Sequence, residues 1–239
     1  MEGLRSFDYN HDGFTLKGEI ALPEGPGPHP AVLVMHDALG LGNLMRHKAV
    51  ALARSGYVAL ASDMYGRGRF ATPAEGMDTY RGVSGDPALL RGRVLAAYDA
   101  LRGAPGVDAS RIGAIGYCFG GQCVLELARS GADARGVVSF HGLLTTAQPA
   151  RAGEVKAKVL AITGALDPYA PAEHRAGFQA EMAAAEADWQ MTVYGKGWHA
   201  FTEEDAPEIA DIPGVRYDPL LDRLSWAEAT AFLEAVVRG

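Results

Sequence analysis

Cys118 stands in Gly116-Tyr117-Cys118-Phe119-Gly120-Gly121, directly behind the apolar run Ile112-Gly113-Ala114-Ile115. A thiol between glycines, where a strand gives way to a helix, is an arrangement that presents a nucleophile. The chain must reverse sharply there, its central residue takes strained backbone geometry, and bulkier neighbours would collide. The thiol then lies at the amino end of a helix starting near Gly120, where unpaired amide hydrogens and the helix dipole favour negative charge. The competing reading is a glycine-rich packing turn or a phosphate loop with an incidental cysteine. Against the phosphate loop, no Lys-Ser/Thr pair follows and the glycine spacing does not suit a dinucleotide fold.

A nucleophilic thiol needs a base, and the base an orienting acid, each at a strand end so that they converge. Downstream, Asp167 lies in Gly164-Ala165-Leu166-Asp167-Pro168 and His199 in Gly197-Trp198-His199-Ala200-Phe201, each just past an apolar run. These two complete the expected catalytic set. The backbone amide of Phe119 is one expected donor to a developing oxyanion, and the amide of Ala38, in the loop after the run ending at Met35, is the other. Asp37 then sits beside the thiol, either pairing with the resting thiol or histidine or capping local amides.

The remaining histidines carry less. His11, His29 and His47 fall in turns or on a helix surface, and His174 sits on the helix after Asp167, facing away. His36 precedes the oxyanion loop and His141 follows a strand end; each either braces the structure or joins the pocket, and the expected pocket set is His36, Tyr65, Arg81, His141 and Trp198.

Apolar runs alternate with helical patterns from about Ala31 onward, which predicts a mostly parallel sheet with helices on both faces. Phe14 to Leu22 reads as an antiparallel start. Strands are expected at Ala31–Met35, Tyr57–Ser62, Ile112–Tyr117, Gly136–Phe140, Val159–Thr163 and Trp189–Tyr194. Helices are expected at Leu44–Ser55, from Asp86-Pro87 through Leu101, from Pro171 to Ala187 and from Ser225 to Val237. Asp63 to Gly85, with Tyr65, Arg67, Arg69, Tyr80 and Arg81, reads as a long irregular loop bordering the site.

At 239 residues, with 48% hydrophobic and 21% charged residues and no internal linker, the chain is expected to form one domain, residues 1–239. A net charge of -7 without any basic block argues against nucleic acid and anionic membrane surfaces. The amino terminus has no apolar signal core and no run approaches the ~20 apolar residues of a membrane span, so a cytoplasmic protein is expected. Cys118 and Cys123 suit neither a disulfide nor a metal site, Cys123 reading as a buried helix residue. The histidines are scattered and the Glu203-Glu204-Asp205 run reads as solvated surface, so no metal and no cofactor is expected.

GYCFGG at Gly116 to Gly121, with HDALG at His36 to Gly40, GALDP at Gly164 to Pro168 and WHAF at Trp198 to Phe201, resembles the dienelactone hydrolase family of the α/β-hydrolase superfamily. The resemblance covers nearly the whole chain and shares the order nucleophile, acid, histidine. It implies an α/β-hydrolase fold, a triad of Cys118, His199 and Asp167, and a place for Asp37 where the family commonly has a glutamate, one methylene longer, that interacts with the resting cysteine. Members acting on dienelactone hold its carboxylate with arginines, one of them four residues after the histidine; here that position is Glu203, and Arg81 is the position considered for another. Small neutral esters or lactones are thus the expected partners, with neutral aryl phosphotriesters as a further class, because a phosphoryl oxygen can occupy the same oxyanion site. Two rival readings remain: a peroxide-reactive thiol protein and a noncatalytic ligand-binding α/β-hydrolase fold.

Overall fold

A computed structural model describes residues 3–68, 70, 72–204 and 212–239. Arg69, from the expected loop, and Asp205, from the acidic run, lie outside the described residues. Eight strands form one sheet: β1 Leu4–His11, β2 Phe14–Ala21, β3 His29–Met35, β4 Val58–Ala61, β5 Val107–Tyr117, β6 Gly136–Phe140, β7 Lys158–Gly164 and β8 Trp189–Tyr194. Their spatial order is β1-β2-β4-β3-β5-β6-β7-β8. From β4 onward every neighbour is parallel, while β2 runs antiparallel to both β1 and β4. The mostly parallel α/β-hydrolase architecture is therefore present, with its antiparallel start.

The inner parallel strands are apolar on both sides because helices cover both faces, while the edge strand β8 is half-exposed. Leu33, Met35, Ala114, Val137 and Ala161 pack toward α3 (Pro87–Arg102), α4 (Phe119–Arg129) and α5 (Ala172–Ala184). Their alternates Val32, Val34, Ile115, Val138 and Leu160 face α1 (Asn43–Arg54) and α6 (Pro219–Leu233). A π-helical turn, Glu234–Arg238, closes the chain. The Leu90, Val94, Tyr98 and Leu101 stripe of α3 is buried, as its spacing requires. No helix among the described residues is long and apolar enough to cross a membrane.

Three elements differ from the sequence expectation. The β1–β2 hairpin turns at Asp12 and Gly13, both at positive φ (49° and 79°), the signature of a tight hairpin turn. The partly exposed, polar β1 has no apolar run to announce it. The expected loop contains a helix, α2 (Pro73–Ser84), whose first turn is capped by the Thr72 hydroxyl accepting from the Glu75 amide at 3.4 Å. Gly76 and Gly82 weaken its helical pattern. Helix α6 begins at Pro219, six residues before Ser225, with Asp218 accepting from the Leu220 and Leu221 amides. That Asp-Pro start repeats the one at Asp86-Pro87, but exposed Leu220 and Leu224 blur the apolar face behind it.

Candidate active site

Because β3, β5, β6, β7 and β8 are parallel, their carboxyl ends share one sheet edge, and the loops leaving it carry Ala38, Cys118, Asp167 and His199. Cys118 joins β5 to α4 with φ 53° and ψ −112°, strained for a residue with a side chain. Its amide donates to the Phe140 carbonyl at 3.0 Å. The glycines are required by contact: a Cβ on Gly116 would overlap the Gly120 carbonyl, and one on Gly120 the Met35 carbonyl. Only bare backbone lets α4 start against the end of β3, which brings the Phe119 amide near the loop carrying Ala38. Phe119 is the first residue of α4, so its amide has no acceptor within the helix.

The acid and the histidine leave β7 and β8 through loops that bind each other: Ala165 N donates to Tyr194 O at 2.9 Å and Leu166 N to Gly197 O at 3.0 Å. Asp167, 2% exposed, accepts from the Tyr169 amide through Oδ1 at 2.8 Å and from His199 Nδ1 through Oδ2 at 2.9 Å. His199 Nε2 lies 3.1 Å from Cys118 Sγ. The His199 loop is fixed by its backbone, His199 N donating to Gly214 O and Arg216 N to His199 O. Burial opposes charge on this imidazole, but the negative charge at Cys118 and the Asp167 carboxylate outweigh it and hold its pKa well above the ordinary value. The group is set up to keep a proton between a sulphur and a carboxylate.

The oxyanion loop is braced from behind. His36, fully buried, donates through Nδ1 to the Asp37 carbonyl at 2.6 Å and accepts from the Met64 amide on Nε2 at 2.9 Å. Tyr65 donates its hydroxyl to the Ala38 carbonyl at 3.2 Å and stacks on Phe119 with centroids 5.9 Å apart. Asp37 Oδ1 accepts from the Leu39 amide at 2.6 Å, so the amide-capping contact open to this residue is present.

Above the thiol opens a cavity of about 100 Å³, walled by Asp37, Ala38 and Leu39 from the β3 loop, Met77 and Tyr80 from α2, and Leu143, Tyr169, Ala200, Glu203, Ile212 and Val215, with Cys118 and His199 at its base. None of the five expected pocket residues reaches this wall. His36, Tyr65 and His141 are buried behind it, Arg81 is exposed and pairs with Asp78 at 2.8 Å on the surface of α2, and Trp198 is half-buried outside it. Of the wall residues on α2, Tyr80 belongs to the stretch expected to border the site, whereas Met77 has no signal because the helix carrying both reads as loop; Tyr169, two positions past Asp167, had a signal in that spacing. Glu203 corrects the solvated-surface expectation, being 8% exposed and part of the wall.

A dienelactone hydrolase-like promiscuous phosphotriesterase from metagenomic libraries, known as a crystal structure, is 36% identical to this chain, covers 98% of each, and superposes with a TM-score of 0.91. A probable 2-oxo-3-(5-oxofuran-2-ylidene)propanoate lactonase from a Bradyrhizobium species is 28% identical over 95% of this chain and 92% of its own. The carboxymethylenebutenolidase of Pseudomonas putida is 25% identical over 70% of this chain and 72% of its own. The sequence profile of the dienelactone hydrolase family matches residues 16–237, and the chain belongs to that family as a hydrolase of ester bonds.

Proposed function

We propose that the protein is a cysteine-dependent hydrolase of small neutral esters and lactones, working as a single domain through Cys118, His199 and Asp167, with hydrolysis of neutral aryl phosphotriesters as a side activity. The observation that carries the reading is the continuous line from Asp167 through His199 to Cys118, 2.9 Å and 3.1 Å long, at the base of a cavity.

In the first step His199 takes the proton of Cys118 as the sulphur attacks the carbonyl carbon, and the carbonyl π pair moves onto oxygen, held by the Phe119 and Ala38 amides. As the tetrahedral adduct collapses, the C–O bond to the leaving group breaks and the imidazolium of His199 gives that oxygen its proton, leaving a thioester on Cys118. His199 then takes a proton from water as the water attacks the thioester. The C–S bond breaks, the sulphur takes the proton back from His199, and the acid departs. General acid–base catalysis of this kind contributes about 10²- to 10⁴-fold, and each oxyanion donor about 10²- to 10³-fold. Thiolate is a better leaving group than an amine, so adducts with unactivated amides revert while aryl esters and lactones go forward.

The wall supports the substrate class. It is mostly apolar, and its charged side chains are Asp37, Glu203 and His199. No arginine or lysine stands among these lining residues to hold an anionic substrate. The phosphotriesterase relative supports the side activity, since a neutral phosphoryl oxygen suits the same two amides and an S–P bond is weak enough to be hydrolysed. The test is a panel of a p-nitrophenyl ester, an anionic lactone and a p-nitrophenyl phosphotriester. Turnover of the first, at least tenfold preference over the second and release beyond one equivalent from the third support the proposal; preference for the anionic lactone overturns the substrate class.

A further inference from the structure

His141 lies outside the cavity wall and outside the proposed triad, yet both of its ring nitrogens are engaged by segments that carry triad residues. Nδ1 faces the backbone amide of Cys118 at 3.2 Å, and Nε2 faces the hydroxyl of Thr202 at 2.7 Å. A backbone amide can only donate, so Nδ1 accepts, and the ring proton sits on Nε2 and is given to Thr202 Oγ1. Thr202 is 1% exposed and lies three residues past His199, in the turn closed by Glu203 N donating to Ala200 O. The imidazole also meets His199 edge-on, with centroids 5.2 Å apart, and Phe201 at 5.0 Å.

We propose that His141 and Thr202 are positioning residues that lock the strained turn bearing Cys118 to the loop bearing His199, thereby setting the distance between sulphur and imidazole.

Three observations support this role. Cys118 sits at φ 53°, a conformation that persists only when its surroundings over-determine it, and its amide is held by two acceptors, Phe140 O and His141 Nδ1. His141 itself has φ 39°, where glycine would be at ease, and its own amide is fixed to Ile162 O at 2.8 Å. The link runs through one tautomer. Protonating Nδ1 would set two N–H groups against each other at Cys118, and burial together with the neighbouring His199 holds the pKa of this imidazole well below the ordinary value, keeping it neutral.

The inference rests on Cys118 being the nucleophile, and the experiment separates the two claims. His141→Leu and Thr202→Val are assayed beside the parent and Cys118→Ala on a p-nitrophenyl ester, with melting temperatures recorded and the rate of Cys118 alkylation by iodoacetamide measured separately. Both variants are expected to lose about 10- to 100-fold in kcat with KM within twofold, as fits small misplacement of reacting groups by residues that do not touch substrate. The double variant should lose far less than the product of the single losses. His141→Asn, whose Oδ1 can accept from the Cys118 amide and which tolerates positive φ, is expected to recover part of kcat, and Thr202→Ser most of it. Alkylation of Cys118 should slow in His141→Leu and return toward the parent rate in His141→Asn. Folded Leu and Val variants with kcat within twofold of the parent overturn the positioning role. So does an equal loss in Asn and Leu with unchanged alkylation. If His141→Leu does not fold, the nearly isosteric Thr202→Val decides by the same criteria. Activity surviving in Cys118→Ala would instead overturn the nucleophile assignment, leaving the alkylation rates to judge the lock.

Discussion

Cys118 and His199 are 81 positions apart in the chain, and their reacting atoms lie 3.1 Å from each other. The largest influence raising the His199 pKa is the negative charge at Cys118. A histidine whose folded-state value is raised contributes stability that is fully present below its unfolded value, about 6.5, and is lost as pH rises through the folded value. In Cys118→Ala the main raising charge is gone. The His199 ring protons, followed by NMR, should then titrate at lower pH than in the parent; an unchanged midpoint would show that the sulphur does not act on the imidazole.

Gly120→Ala places a methyl against the Met35 carbonyl, where both sides are backbone and neither can give way. Urea unfolding should show a loss of about 1–3 kcal/mol or more, the usual range for overpacking. Esterase activity should fall further than stability alone explains, because α4 and the Phe119 amide move together. A variant as stable and active as the parent would mean that the close approach of α4 to β3 is dispensable.

The elements most legible in the sequence were those whose two faces are both buried. β6, β7 and the second half of β5 are apolar runs followed by loops that carry chemical residues, β8 is a half-exposed edge strand read from its aromatic and β-branched residues, and the parallel connections bring those loops to one edge. The half-exposed elements β1 and α2 were not legible: one is polar outside its buried positions, and the other is interrupted by glycines. The wall was lost with α2. Which side chains line a cavity depends on how a helix rolls over the sheet edge, and neither Tyr65 nor His36 could be told from a lining residue before their bonds to Ala38 and Met64 were seen.

Asp37 distinguishes a cap from a charge. Its carboxylate accepts from the Leu39 amide, and losing that bond in Asp37→Ala should cost about 1 kcal/mol and loosen the loop carrying the Ala38 amide. Asp37→Asn retains an acceptor at the same reach. If capping is its contribution, the Asn variant stays within a few-fold of parent kcat and the Ala variant does not; equal losses in both would assign the effect to charge.

Arg129 is fully buried and pairs with Glu126 at 3.0 Å and Glu181 at 2.8 Å while donating to the Leu144 carbonyl, joining α4 to α5. Removing it leaves Glu181 without its cationic partner and Glu126 with Arg91 alone, at 2.6 Å, so Arg129→Met should unfold about 3 kcal/mol more easily, the low end of what breaking a buried pair costs. This network lies apart from the cavity wall, so the folded variant should keep the parent KM. Stability unchanged in urea would contradict that account.

The central claim is that the acyl group passes through the sulphur of residue 118. Acid quenching during turnover of a p-nitrophenyl ester, followed by peptide mass spectrometry, reads this directly. The peptide containing Cys118 should carry the mass of the acyl group, and His199→Ala should fail to accumulate it at the parent rate. Steady hydrolysis with no acylated Cys118 peptide, persisting in Cys118→Ala, would contradict the account.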